Sequence, residues 1–117
     1  MLLRVEVEER DDHALVTAIG EIDAATAGSV EEAVTAALDG GHPRVLLDFT
    51  DVTFIDSTGL GVLVKSHRRA QSLRSSFAVV HPTPHTRKLM RVLGLDQLLR
   101  VYDTADEALA AEPQAAG

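Results

Sequence analysis

The sequence predicts an α/β domain with a mixed sheet, and three observations carry that expectation. The opening stretch alternates apolar and polar side chains, as a half-buried strand does. Helical periodicity and β-branched runs then follow one another along the chain. Across Val52-Thr53-Phe54-Ile55-Asp56-Ser57-Thr58-Gly59-Leu60-Gly61-Val62-Leu63 the character changes from strand-like to helix-like.

Leu3 to Glu8 forms the first strand, Arg10-Asp11-Asp12-His13 turns, and Ala14 to Gly20 forms the second, so the two pair as an antiparallel hairpin. Glu6, Glu8 and Glu9 suit an edge that must not recruit another chain. Ala24 to Leu38 carries helical spacing through Val30, Ala33, Val34, Ala37 and Leu38. Asp23 or Thr26 is the expected cap, Ser29-x-x-Glu32 is a competing box, and Gly40-Gly41 with Pro43 stop the helix. Strand three is Arg44 to Phe49, with Thr50-Asp51 as a turn and Phe54-Ile55 in the outgoing loop. The second helix runs from Ser57 to Leu73, and Phe77 to Val80 is strand four. Thr83-Pro84 opens a third helix with Leu89, Val92 and Leu93 on its apolar stripe. Val101-Tyr102 adds an edge strand, and Thr104-Ala105-Asp106-Glu107 is a capping box for a last helix that Pro113 ends. One domain over residues 1–112 and a frayed tail over 113–117 are expected.

Two strands followed by alternating helix and strand make strands two, three and four parallel, joined by right-handed crossovers, with the first strand antiparallel at or near an edge. Parallel strands bring their C-terminal ends together. Asp23, the Asp56-Ser57 loop and His81 to Thr83 are therefore expected to meet at one edge, where α/β sheets place their sites.

Bulk properties bound the function. At 117 residues the chain suits one domain with a real core, and its mean hydropathy of +0.05 is that of an ordinary globule. No apolar run reaches membrane-spanning length, and Met1-Leu2-Leu3 runs straight into Arg4 and Glu6 without a signal-peptide pattern. With no cysteine there is no disulfide, thiolate metal site or thiol catalyst, and a cytoplasmic location fits. The net charge of −7 argues against nucleic acid or an anionic membrane as the main partner. A monomer or weak dimer without cofactor or metal is expected.

Gly59 and Gly61 at a helix start each cost roughly 1 kcal/mol relative to Ala. Tight packing of the helix on the sheet, with Asp56 or Ser57 as cap, explains them as readily as function does. On a helical wheel Leu60, Leu63, Val64 and His67 lie on one side, and Val62 stands about 200° from Leu60. If one side covers the sheet, the other exposes an aliphatic beside the Ser57 hydroxyl, and Leu60 with Val64 is expected there. Such an apolar residue suits docking rather than a catalytic pocket.

The string Phe54-Ile55-Asp56-Ser57-Thr58-Gly59-Leu60-Gly61 resembles the signature of STAS domains, in particular the bacterial anti-sigma factor antagonists. Gly20-Glu21-Ile22-Asp23, the hydrophobic run ending in Asp48, and Leu89-Met90-Arg91-Val92-Leu93-Gly94-Leu95 agree at the right spacing, so the resemblance spans residues 3 to 111. It implies a mixed sheet of four to five strands with about four helices packed largely on one face. It also implies partner switching. The unphosphorylated antagonist binds an ATP-dependent serine kinase that doubles as anti-sigma factor, which frees the sigma factor. The kinase phosphorylates the Ser after the signature Asp, here Ser57, and a phosphatase reverses this. Thr58 stands where many relatives have Ser and is a secondary acceptor.

Joined to the reading of the turn, the resemblance makes Asp23, Asp56, Ser57, Thr58, Gly59, Leu60, Gly61 and Val64 the expected partner surface, with no catalytic residue. A helix start offers unpaired N–H groups and partial positive charge, so the fold is expected to tolerate a phosphate at Ser57. A docking partner would meet that phosphate beside Asp23 and Asp56 and lose contacts.

Other readings fare worse. A serine hydrolase lacks the G-x-S-x-G elbow, and His67 falls within the helix of Ser57. A phosphate loop needs a Lys that Lys65 is too far along to supply. A STAS module of a stress-signalling or transport complex keeps the fold without a sigma-factor role, and the retained Asp56-Ser57 favours the antagonist over it. Arg87, Lys88 and Arg91 read first as a solvated face, and otherwise as charge pairing with an acidic patch on a partner or as an edge contact in a dimer. Asp48 either caps a loop or faces the partner.

Overall fold

The computed structural model describes residues 3–111. Its elements are β1 (Arg4–Glu9), β2 (Ala14–Ile22), α1 (Ala27–Asp39), β3 (Arg44–Ile55), α2 (Ser57–Ser72), β4 (Ser76–Val80), α3 (Pro84–Val92), a 3-10 turn (Leu95–Gln97), β5 (Arg100–Tyr102) and α4 (Ala105–Ala111). The sheet order is β1-β2-β3-β4-β5, with β1 antiparallel to β2 and the other neighbours parallel. The mixed sheet, the edge position of β1 and the short strand at Val101-Tyr102 agree with expectation. The stop at Pro113 and the tail over 113–117 lie outside the described residues.

Alternation divides each strand between two cores. Ala14, Val16 and Ala18 of β2, Val45, Leu47 and Phe49 of β3, and Phe77 and Val79 of β4 pack beneath α1, α2 and Met90 of α3. Leu46, Ala78 and Val80 face the other way, under Ala108 of α4. Among the described residues three helices thus share one face and α4 covers part of the second. The buried Arg44 holds α4 there, its Nη1 donating to the Leu109 carbonyl at 2.8 Å near the end of that helix. Thr83 and Thr104 cap α3 and α4 as expected, accepting from Thr86 N at 3.1 Å and Glu107 N at 3.0 Å.

β3 departs from expectation by running past Phe49 to Ile55. Its register with β2 slips twice: Thr17 pairs with Asp48 but Ile19 with Asp51, and Gly20 pairs with Val52 but Glu21 with Phe54. Each slip gives β3 one extra residue, a bulge. The buried positions Phe49, Val52 and Ile55 consequently fall three apart instead of two, which makes a continuous strand read as a turn and loop. Asp48 stabilises the first bulge, its Oδ1 accepting from Thr50 N at 2.8 Å and Thr50 Oγ1 at 2.6 Å. That is the loop-capping role.

The long β3 also corrects the expected meeting of three loops. The last pairing of β4 is Val80 with Asp48, whereas β2 and β3 continue together to Ile22 and Ile55. That continuation places the ends of β2 and β3 on the order of 20 Å beyond the His81–Thr83 turn. Only Asp23 and the Asp56-Ser57 turn meet.

Helix α1 begins at Ala27, three residues later than expected, because Asp23 and Thr26 build a turn first. Asp23 Oδ1 accepts from Ala25 N at 2.9 Å and Thr26 N at 3.1 Å, and Thr26 Oγ1 donates back to Glu21 O at 2.7 Å. On α3 the expected stripe is also shifted. Thr86 and Met90 are buried, whereas Val92 and Leu93 are 70% and 57% exposed.

Leu60 is the main correction on α2: it is 4% exposed, not displayed. Gly59, Leu60, Val62, Leu63, Ser66, His67 and Ala70 are all buried, an arc of about 160° that includes both Leu60 and Val62 at its margins. A narrower stripe would have left one of them in solvent. α2 packs on the sheet and laterally against α1, where Arg69 donates to Asp39 Oδ1 from both Nε and Nη2, so its contact surface is wide. Val64 is half-buried at the margin of the arc. Leu60→Ala is therefore expected to cost about 2–5 kcal/mol in chemical denaturation. Val64→Ala should cost about 1 kcal/mol or less, and equal, small losses at both positions would return Leu60 to the surface.

Candidate functional site

The tip of the β2–β3 pair carries the site. Ile22 and Ile55 are the last paired residues, and Asp56 N donates to Ile22 O at 3.2 Å, which brings the chain leaving β3 alongside Asp23. Asp56 is still extended, with φ −111° and ψ −172°, and the helix starts at the next residue. Its Oδ1 accepts from Thr58 N at 2.9 Å and Gly59 N at 3.1 Å, while its carbonyl accepts from Leu60 N at 3.0 Å. Such a cap contributes about 1 kcal/mol. It also amends the expectation for a phosphate at Ser57, because two of the N–H donors at the helix start are already taken by Asp56.

The two glycines have different causes. A Cβ at residue 59 would stand 2.6 Å from Ile55 Cγ1 and 2.8 Å from Ile22 Cγ2, so Gly59 is there for packing. A Cβ at residue 61 would meet nothing within 4 Å, so nothing inside the molecule asks for glycine there. Gly61 lies on the outward side of α2, one turn from Ser57, and leaves the backbone open to close approach.

Ser57 and Thr58 are exposed, and Asp23, Asp56, Gly61 and Val64 are half-buried around them. Gly59 and Leu60 are interior and support this surface from beneath. The exposed apolar group of the site is instead Phe54, 45% exposed three residues before Ser57 and paired across the sheet with Glu21. Phe54 and Ile55, expected together in the outgoing loop, are both in β3 and differ in burial, Ile55 being 2% exposed. The signal that separates them is the three-residue spacing Phe49, Val52, Ile55, which leaves Phe54 out of phase with the core.

The site offers a hydroxyl, two carboxylates and an aromatic ring at the end of a strand pair that extends beyond β4. His67 is ten residues along α2, about 15 Å from Ser57, and too far to act as its base. Among the described residues no group of three or more His, Asp or Glu could hold a metal ion, and no helix is long and apolar enough to cross a membrane.

The glycines can be tested apart from any partner. Gly59→Ala is expected to destabilise by about 1–3 kcal/mol through overpacking against Ile22 and Ile55. Gly61→Ala should stabilise by up to about 1 kcal/mol through helix propensity. Thermal melts should rank Gly61→Ala above the parent chain and Gly59→Ala below it, and the reverse order would contradict this division.

The chain is similar in sequence and in overall fold to known proteins. The anti-sigma-B factor antagonist of Listeria monocytogenes is 31% identical over 108 residues, which are 92% of this chain and 95% of that one. A Thermotoga neapolitana protein named as a homologue of the anti-sigma factor antagonist TM1081 is 36% identical over 72 residues, 62% of this chain and 64% of its own length. Among solved structures, an anti-sigma factor antagonist from Mycobacterium paratuberculosis superposes with a TM-score of 0.85 at 33% identity, covering 94% of this chain and 93% of that one. The sequence matches the STAS domain over residues 4–108, and the chain belongs to that family.

Proposed function

We propose that this chain is an anti-sigma factor antagonist whose unphosphorylated form binds an anti-sigma factor with serine kinase activity and so releases a sigma factor, and that phosphorylation of Ser57 ends the binding. The observation that carries this reading is the position of Ser57: exposed, first in a capped helix, at the tip of a strand pair that projects beyond β4. A kinase needs a hydroxyl displayed in this way, and a tip that projects beyond β4 is open to a partner. The names of the Listeria, Thermotoga and Mycobacterium relatives support the antagonist role.

The switch is electrostatic. A phosphate adds about −1.5 to −2 charges, and it does so beside the carboxylates of Asp23 and Asp56. Helix-end polarity makes the added charge tolerable for the fold. The partner, in contrast, meets a doubled anionic patch where it must exclude water, and like-charge contact of this kind costs several kcal/mol. Docking is lost without unfolding. In this reading Ser57 is a substrate and the chain has no catalytic residue, cofactor or metal. A serine phosphatase restores the active form, Thr58 is the secondary acceptor, and the chain works in the cytoplasm.

Ser57→Ala and Ser57→Asp separate binding from stability. Against the anti-sigma factor kinase encoded nearest to this chain in its genome, Ser57→Ala should bind as the parent does. Ser57→Asp should weaken binding at least about tenfold. Both should unfold within about 0.5 kcal/mol of the parent, as exposed substitutions do. Undiminished binding by Ser57→Asp would remove the proposed switch.

A further inference from the structure

The net charge of −7 conceals a segregation. Between Asp56 and Asp96 the chain holds seven Lys and Arg residues and no Asp or Glu. In the fold this stretch is α2, β4 and α3, so the α2–α3 side of the helical layer is predominantly basic, with Asp103 paired to Arg87 and Asp96 lining the same small pocket as Arg87 and Arg91. The β1–β2 hairpin and α1 are acidic, with Glu6, Glu8, Glu31 and Glu32 among their residues.

Among the described residues two of the seven have an ion-pair partner: Arg69 pairs with Asp39 of α1, and Arg87 with Asp103. Lys65, Arg68, Arg74, Lys88 and Arg91 are exposed and have no carboxylate partner among the described residues. By contrast Arg4 and Arg10, on the hairpin, pair with Glu6 and Glu8. Lys65 and Arg68 lie on the outward side of α2 with Ser57 and Gly61, Arg68 about 16 Å along the helix from Ser57. On α3, Lys88 and Arg91 stand beside the exposed Val92 and Leu93. Unpaired cations set in apolar surface form a field that attracts an opposite charge, and the apolar part suits a protein surface better than a nucleic acid.

We infer that the partner docking at Ser57 lays an acidic surface along α2 and α3, over Lys65, Arg68, Lys88 and Arg91. The inference rests on the function proposed above. It gives the interface a polarity: carboxylates Asp23 and Asp56 at the head of α2, cations along its body. A partner whose acidic surface lines up with those cations is steered into one orientation. It also places the Ser57 phosphate at the boundary of the two zones, where it opposes the approaching acidic surface.

Stopped-flow association with the same kinase tests this, using Lys65→Gln, Arg68→Gln, Lys88→Gln and Arg91→Gln combined in one variant. At low ionic strength its association rate should fall at least about tenfold, with a smaller change in dissociation. The difference should vanish at about 0.5 M salt. The Arg4→Gln, Arg10→Gln double variant should associate as the parent does. An unchanged rate in the quadruple variant, or an equal fall in the double variant, overturns the inference. So does binding of a duplex of about 20 base pairs as tightly as the kinase at physiological salt. If the parent chain does not bind the kinase at all, the proposed function fails and this inference with it. If it binds but the quadruple variant does not slow, the inference fails alone.

Discussion

One close approach determines where α2 starts. Residue 59 rests against the side chains of Ile22 and Ile55, the final pair of the β2–β3 tongue, and only an absent side chain permits that contact. Asp56 secures the same point from the backbone side, through its N–H to Ile22 and its carboxylate to Thr58 and Gly59. Each term is about 1–3 kcal/mol, small beside the opposing totals of folding. Their effect is positional. With residue 56 held in the cap and residue 59 held on the sheet, Ser57 and Thr58 are left between two fixed points and are displayed outward.

Much of this was legible in the sequence, for reasons particular to each element. The alternation of β2 and the turn chemistry of Thr83-Pro84 and Thr104 to Glu107 are local signals, and tertiary packing did not override them. The strand-to-helix change at Asp56-Ser57 was equally plain, since an Asp cap before an apolar-periodic run has few other meanings. β3 beyond Phe49 was not legible, because bulges replace the period of two that identifies a strand. The same bulges hid Phe54 as the exposed apolar residue and moved His81–Thr83 away from the site. Leu60 was misplaced because a wheel gives angles but not the width of the buried arc, and that width depends on a neighbouring helix, α1.

The charge pattern and the helix start act together. Asp56 has already filled two donors of the helix end, so a phosphate on Ser57 gains the favourable dipole but shares the donors with a carboxylate. In the proposed function the modified chain remains folded because Ser57 is exposed, and its surface changes where the proposed partner would have to desolvate it. Phe54 and Gly61 stand on either side of Ser57 in sequence, one an exposed aromatic ring and the other an unobstructed backbone. The helix body beyond them carries the uncommitted cations. A single hydroxyl thus sits between an acidic tip and a basic helix face, where a change of about two charges has the greatest leverage on docking and little on stability.

The claim on which the rest depends is that Ser57 is the group a kinase modifies. Intact-mass measurement and peptide mapping after incubation with Mg-ATP and the neighbouring anti-sigma factor kinase test it directly. The account predicts one phosphoryl group, mapped to Ser57 in the peptide that ends at Lys65. A phosphoryl group found elsewhere while Ser57 stays unmodified, or none at all with an active kinase, would contradict it.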